Sequence, residues 1–99
     1  MTFAVLAEPH RRHLLELLRD GERPVGELVD GLGLSQPAVS KHLRVLRDAG
    51  LVEVRPDAQR RLYSLRPEPL RELDEWIGSF RDLWADSFDR LDAHLEEHP

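Results

Sequence analysis

Between positions 35 and 47 the chain carries Ser35, Gln36, Pro37, Ser40, Lys41, His42, Arg44 and Arg47. Hydroxyl, amide, ammonium and guanidinium groups are the donors that meet phosphate oxygens and base edges of a duplex. A second group follows at Arg55, Arg60, Arg61 and Tyr63. Three guanidinium groups around a turn suit contacts along the phosphate backbone or in a minor groove. Tyr63 is read with its ring packed and its hydroxyl at the surface.

The histidines invite a different chemistry. His94-Leu95-Glu96-Glu97-His98 matches the H-x-x-E-H order of inverted zinc peptidases. Two histidines four apart share a helix face and could hold zinc. Catalysis needs a third ligand, an ordered second shell and a pocket as well. The expectation is therefore solvated histidines, no enzyme and no resident metal or cofactor. His10 and His13 also share a face, read as lying against a partner helix or solvent rather than serving as ligands. There is no cysteine, which excludes disulfides, thiolate metal sites and thiol nucleophiles.

The charge is divided along the chain. The net charge is −5, yet residues 1–66 hold eleven basic and nine acidic groups, and 67–99 hold three and ten. Residues 35–66 alone carry seven basic against three acidic groups, so the positive charge is concentrated where the donors are. That asymmetry suggests a polyanion bound by one part of the molecule. The N-terminus has no basic region followed by a long apolar stretch, and no run approaches the ~20 apolar residues of a membrane span. A cytoplasmic protein with no membrane partner is expected. Ninety-nine residues make one small domain with a thin core, so dimerisation would help it.

Glycine, proline and serine divide the chain into elements that could position these groups. Thr2 opens a short turn through Leu6, Pro9 starts a helix over His10–Arg19, and Asp20-Gly21 ends it. Val25, Leu28, Val29 and Leu32 recur at helical spacing until Gly33. Ser35 then caps a helix over Gln36–Ala49 that Gly50 closes. At ~100° per residue, Val39, Leu43 and Leu46 share one side of it, while Pro37, Ser40, Lys41 and Arg44 lie opposite. The pattern then shifts toward alternation in 51–55 and 61–65, a hairpin with residues 56–59 as its turn. From Glu68 to Glu97 one long helix is expected.

Two helices joined by a tight turn, with a hairpin behind them, make a winged helix-turn-helix. In that plan Ser35 and Gln36 meet a phosphate at the helix N-terminus, or Gln36 pairs with adenine. Ser40, Lys41 and Arg44 meet base edges, with Arg44 assigned to guanine, and His42 and Arg47 touch backbone.

The run from Gly26-Glu27-Leu28 through Leu34-Ser35-Gln36-Pro37-Ala38-Val39-Ser40-Lys41-His42-Leu43-Arg44-Val45-Leu46-Arg47-Asp48-Ala49-Gly50-Leu51-Val52 resembles the ArsR/SmtB family of bacterial winged-helix repressors. Ala7-Glu8-Pro9-His10-Arg11-Arg12 resembles that family's opening, with Glu8 where aspartate is usual, and Arg60–Leu65 resembles its second wing strand. The wing turn departs from the family in lacking glycine. The likeness covers residues 4–66. It implies homodimers that bind operator DNA with this helix and wing and pair through their first and last helices. It also implies what is missing: the Cys-x-Cys metal site has no cysteine, and Asp92-Ala93-His94 imitates only the opening of a second metal site on the last helix.

In the last helix Leu70, Leu73, Ile77, Phe80, Trp84, Phe88, Leu91 and Leu95 advance by threes and fours, with Trp76 and Leu83 beside them. This seam, joined by Phe3, Val5 and Leu6, is the expected dimer interface, and the acidic residues opposite it repel DNA. The sequence thus predicts a mainly α fold with a β-hairpin wing. Residues 1–66 would be the DNA-binding part, and residues 67–99 a long dimerisation helix. The function expected is a homodimeric repressor of double-stranded operator DNA, with room for an unidentified small-molecule or protein effector. The alternatives are a metal-responsive repressor using the C-terminal His, Asp and Glu groups, and a protein-interaction module that ignores DNA.

Overall fold

The computed structural model describes residues 2–83 and 85. Four helices and a three-stranded sheet make a compact unit ending at Pro69, and a second unit begins at Leu70. In order they are α1 (Thr2–Leu6), α2 (Pro9–Leu17), β1 (Arg23–Pro24), α3 (Val25–Leu32), α4 (Gln36–Asp48), β2 (Val52–Asp57) and β3 (Arg60–Leu65), with α5 (Glu68–Gly78) following. No helix among the described residues is long and apolar enough to cross a membrane.

Side-chain chemistry explains the helix boundaries. Glu8 accepts the Arg11 N–H at the start of α2, and Ser35 Oγ accepts the Ala38 N–H at the start of α4. Each satisfies one of the free donors of a first turn. Helix α3 stops at Gly33, whose φ of 72° is left-handed. Helix α4 ends in a Schellman motif: the Leu51 N–H donates to Leu46 O and the Gly50 N–H to Arg47 O, with Gly50 at φ 76°. The wing therefore leaves α4 through a tight, internally bonded turn.

Burial follows the helical period. Leu14, Leu15 and Leu18 from α2 and its end, Leu28 from α3, and Val39, Leu43 and Leu46 from α4 are all buried. Leu51, Val52 and Leu62 close this core from the wing side. The three α4 residues are those placed inward by periodicity, and their burial turns the polar side of the helix to solvent.

Three features differ from the sequence reading. Strand β1 was not foreseen, because two residues, one of them proline, carry no alternating pattern. It pairs with β3 through Arg23↔Tyr63 and Pro24↔Leu62, giving the sheet order β1-β3-β2. The wing strands are longer than expected and leave only Ala58-Gln59 as the turn, with Pro56 opposite Arg61 inside the ladder. An edge strand such as β2 tolerates that proline. Lacking glycine, the turn forces Ala58 to φ 56°, which is costly for a residue with a Cβ. Ala58→Gly is expected to stabilise the protein by about 0.5–1 kcal/mol, after the extra flexibility of unfolded glycine is deducted. Urea denaturation reads this directly; destabilisation by glycine would mean that Ala58 is not left-handed.

The third difference lies at the C-terminal end. In place of an unbroken helix from 68, α5 stops at Gly78 and helix resumes only at 81–83. Glycine is a poor helix former, and the Ser79 hydroxyl donates to Trp76 O at 2.7 Å, an alternative to the regular ladder. The Ser79, Phe80 and Leu83 N–H groups all reach back only three residues. The stretch from 86 onward, with Asp92, His94 and His98, lies outside the described residues.

Candidate nucleic-acid interface

The turn Gly33-Leu34-Ser35 and the buried Val39-Leu43-Leu46 side together set the rotation of α4. With that side inward, Gln36, Pro37, Ser40, Lys41, Arg44 and Arg47 are exposed, as is Ser35. The Ser35 oxygen accepts its capping bond, so the hydroxyl proton can still be donated.

The exposed side of α4 does not stand alone. A groove of about 750 Å³ runs between α3, α4 and the wing, with Gln36, Ser40, Arg61 and Tyr63 along it. A second hollow of about 560 Å³ continues past Ser40, Arg44, Arg47, Arg61 and Tyr63. The two share Ser40, Arg61 and Tyr63, so α4 and β3 form the walls of one concave strip. Tyr63 is half-buried, in keeping with a packed ring at the base of the wing.

Electrostatics separates the expected cations into two sets. Glu22 accepts from Arg55 Nε at 2.9 Å and Arg55 Nη2 at 2.5 Å, a two-pronged pair. Those hydrogen bonds outweigh partial desolvation and hold the Glu22 carboxyl below its ordinary range, while Glu22 raises the Arg55 guanidinium. Arg60 Nη2 donates to Asp57 across the hairpin turn at 2.8 Å. Two of the three wing arginines named from the sequence, Arg55 and Arg60, are thus held by carboxylates of their own chain. Lys41, Arg44, Arg47 and Arg61 have no carboxylate partner among the described residues. All four are exposed.

His42, expected to touch the DNA backbone, has its side chain turned toward α2. There Arg11 Nε donates to His42 Nδ1 at 3.4 Å, and Glu8 Oε2 lies 3.9 Å from the same nitrogen. One residue along a helix is about 100° of rotation, enough to take His42 off the face that carries Lys41. His10 is also nearby, its Nδ1 2.9 Å from Glu8 Oε1, so it is not simply solvated beside His13.

Other groove residues escaped the sequence reading. Glu27 and Asp30 line it from α3, and Gln59 lines it from the wing turn. Glu27 already accepts from Arg23 Nη1 at 3.2 Å, which moderates its repulsion of a polyanion. Their i,i+3 spacing on α3 placed them on one side, but only the packing of α3 on α4 makes that side a groove wall.

The expected dimer residues are only partly within the described region. Phe3 and Phe80 are each 39% exposed, while Leu6, Leu73 and Ile77 are half-buried. The Trp76 and Phe80 rings meet edge to face with centroids 5.0 Å apart. Trp84, Phe88 and Leu91 lie outside the described residues.

Comparison with known proteins agrees with this geometry. Residues 8–54 match the profile of the bacterial regulatory proteins of the arsR family. The chain is 48% identical to an HTH-type transcriptional regulator of Mycobacterium tuberculosis, over 76% of this chain and 70% of that protein. It is 39% identical to a probable mercury resistance operon repressor of Streptomyces lividans, over 92% of this chain and 70% of that one. The solved structure of a possible transcriptional regulator for arsenical resistance superposes with a TM-score of 0.72. That pair is 45% identical, and 92% of each chain is covered.

Proposed function

The chain belongs to the arsR family of bacterial regulatory proteins, and from that premise we propose that it represses transcription as a homodimer seated on a pseudo-palindromic operator. It is a DNA-binding transcriptional regulator with a winged helix-turn-helix, and its relatives are regulators, not enzymes. In the proposed complex α4 enters the major groove. Ser35 and the α4 N-terminus hold a phosphate, Gln36 and Ser40 face bases or backbone, Lys41 and Arg44 reach base edges, and Arg47 holds backbone. Arg61 and Tyr63 carry the wing contact, while Arg55 and Arg60 contribute after exchanging their carboxylates for phosphates. Two-fold symmetry sets the half-sites about 34 Å apart.

The observation that supports this reading is the set of exposed cations at Lys41, Arg44, Arg47 and Arg61. None has a carboxylate partner among the described residues; Arg44, Arg47 and Arg61 line the strip formed by α4 and β3, and Lys41 is exposed on α4. Arg23, Arg55 and Arg60, by contrast, are held by neighbouring acids. Filter binding to random duplex at low salt is the first test, followed by selection of preferred sites. Symmetric half-sites are expected; no duplex binding at any salt concentration would move the protein to the interaction modules. Arg61→Ala should weaken binding to all sequences alike and reduce the slope of log affinity against log salt by about one. A loss confined to one sequence would make the wing a reader of bases.

The homodimer is proposed to pair through α1 and the apolar seam that begins in α5. Phe80→Ala is expected to shift the population from dimer toward monomer or aggregate in light scattering. An unchanged dimer would take Phe80 out of the interface.

A further inference from the structure

Glu8, His10 and His42 come together from two places in the sequence. Glu8 precedes α2, His10 lies in its first turn, and His42 is in the middle of α4. One ligand atom of each, a carboxylate oxygen or a ring nitrogen, lies within 4.8 Å of the other two. The His10 and His42 rings are 5.6 Å apart between centroids.

We propose that these three side chains form a site for a borderline divalent metal ion, zinc being the ion to which two imidazoles and one carboxylate are best matched. Such donor sets hold zinc with a fourth position left for water. Tetrahedral bonds of about 2.0–2.1 Å put ligand atoms about 3.3 Å apart, so shifts of about 1 Å by side-chain rotation close the site. His42 Nδ1 acts as the acceptor of the Arg11 Nε–H, so it carries a lone pair, and Glu8 Oε2 lies 3.9 Å from the same nitrogen. His10 Nδ1 is bridged to Glu8 Oε1, and the ion takes the place of that bridge, any ring proton going to the other nitrogen or to water. Glu8 Oε2 keeps its bond from the Arg11 N–H, so α2 stays capped. The His10 and Glu8 side chains are 46% and 31% exposed, which leaves a path for entry, and His42 at 19% forms the floor.

Two forces oppose the ion. The N-terminus of α2 carries partial positive charge, and the Arg11 guanidinium lies beside His42. The Glu8 carboxylate offsets both in part. The Arg11–His42 contact, at 3.4 Å, is long for a hydrogen bond and easily given up.

The inference is independent of the DNA reading and is tested without DNA. The full chain carrying His94→Ala and His98→Ala, which removes the C-terminal histidine pair, is titrated with zinc against a chromogenic chelator and with cobalt by visible absorption. One ion per chain is expected. His10→Ala and His42→Ala should each lower affinity at least tenfold, Glu8→Gln should also weaken it, and His13→Ala should leave it unchanged. Arg11→Ala should tighten binding several-fold, which a purely structural role for the cluster does not predict. Circular dichroism without metal checks each fold; if His42→Ala fails to fold, the exposed His10→Ala and Glu8→Gln decide the matter. Absence of stoichiometric zinc, or affinity that survives His10→Ala, overturns the site.

Discussion

Replacing Arg44 by alanine is expected to weaken specific operator binding by about 1–3 kcal/mol, roughly 5- to 150-fold, and to relax preference at one base position. Arg44 is exposed midway along α4 and has no carboxylate partner among the described residues, so little intramolecular compensation accompanies its loss. Its rigid planar fork holds the two major-groove acceptors of guanine together in one plane, whereas a lysine offers a flexible point charge. Arg44→Lys should therefore retain most nonspecific affinity while losing the base preference. Arg47→Ala is the control, expected to weaken all duplexes alike. Titration of Arg44→Ala against the selected operator and its single-base variants measures both effects. If affinity and base preference both stay as in the parent, the middle of α4 does not read sequence.

The second large effect concerns stability. Leu46 is fully buried on the inner side of α4, and its carbonyl accepts the Leu51 N–H that turns the chain into the wing. Leu46→Ala is expected to cost about 2–5 kcal/mol, because the removed methyls leave a cavity that rigid neighbours fill only partly. Small domains hold about 5–15 kcal/mol in total, so this is a large fraction. At about 4–8 °C per kcal/mol, the melting temperature should fall by about 8–40 °C. Ser40→Ala, on the exposed face of the same helix, should change stability by no more than about 0.5 kcal/mol. A Leu46→Ala cost below about 1 kcal/mol would show that this side of α4 is not packed as described.

The same helix shows how much of the interface was legible in the chain. Apolar residues at 39, 43 and 46 can be buried together only by one rotation of a helix, which turns Ser40, Lys41 and Arg44 outward. Ser35 and Gly50 bound that helix through local bonds that need no distant partner. For His42 the helical period locates a flank without saying what will be packed beside it. Its neighbours Glu8 and Arg11 are more than thirty residues away, and the packing of α2 on α4 brings them there. The wing arginines illustrate the same limit. Composition counts Arg55 as a free cation, whereas Glu22, thirty-three residues earlier, holds it.

Local chemistry, then, was enough for α2, α3 and α4, the boundaries at Gly33, Ser35 and Gly50, the hairpin and the outward donors of α4, because each depends on a period or a bond within a few residues. Tertiary packing decided the β1 pairing, the groove walls at Glu27 and Asp30, which cations keep their charge unengaged, and the meeting of Glu8, His10 and His42. Those depend on contacts between segments distant along the chain, and the period of one segment carries no information about the side chains another will bring against it.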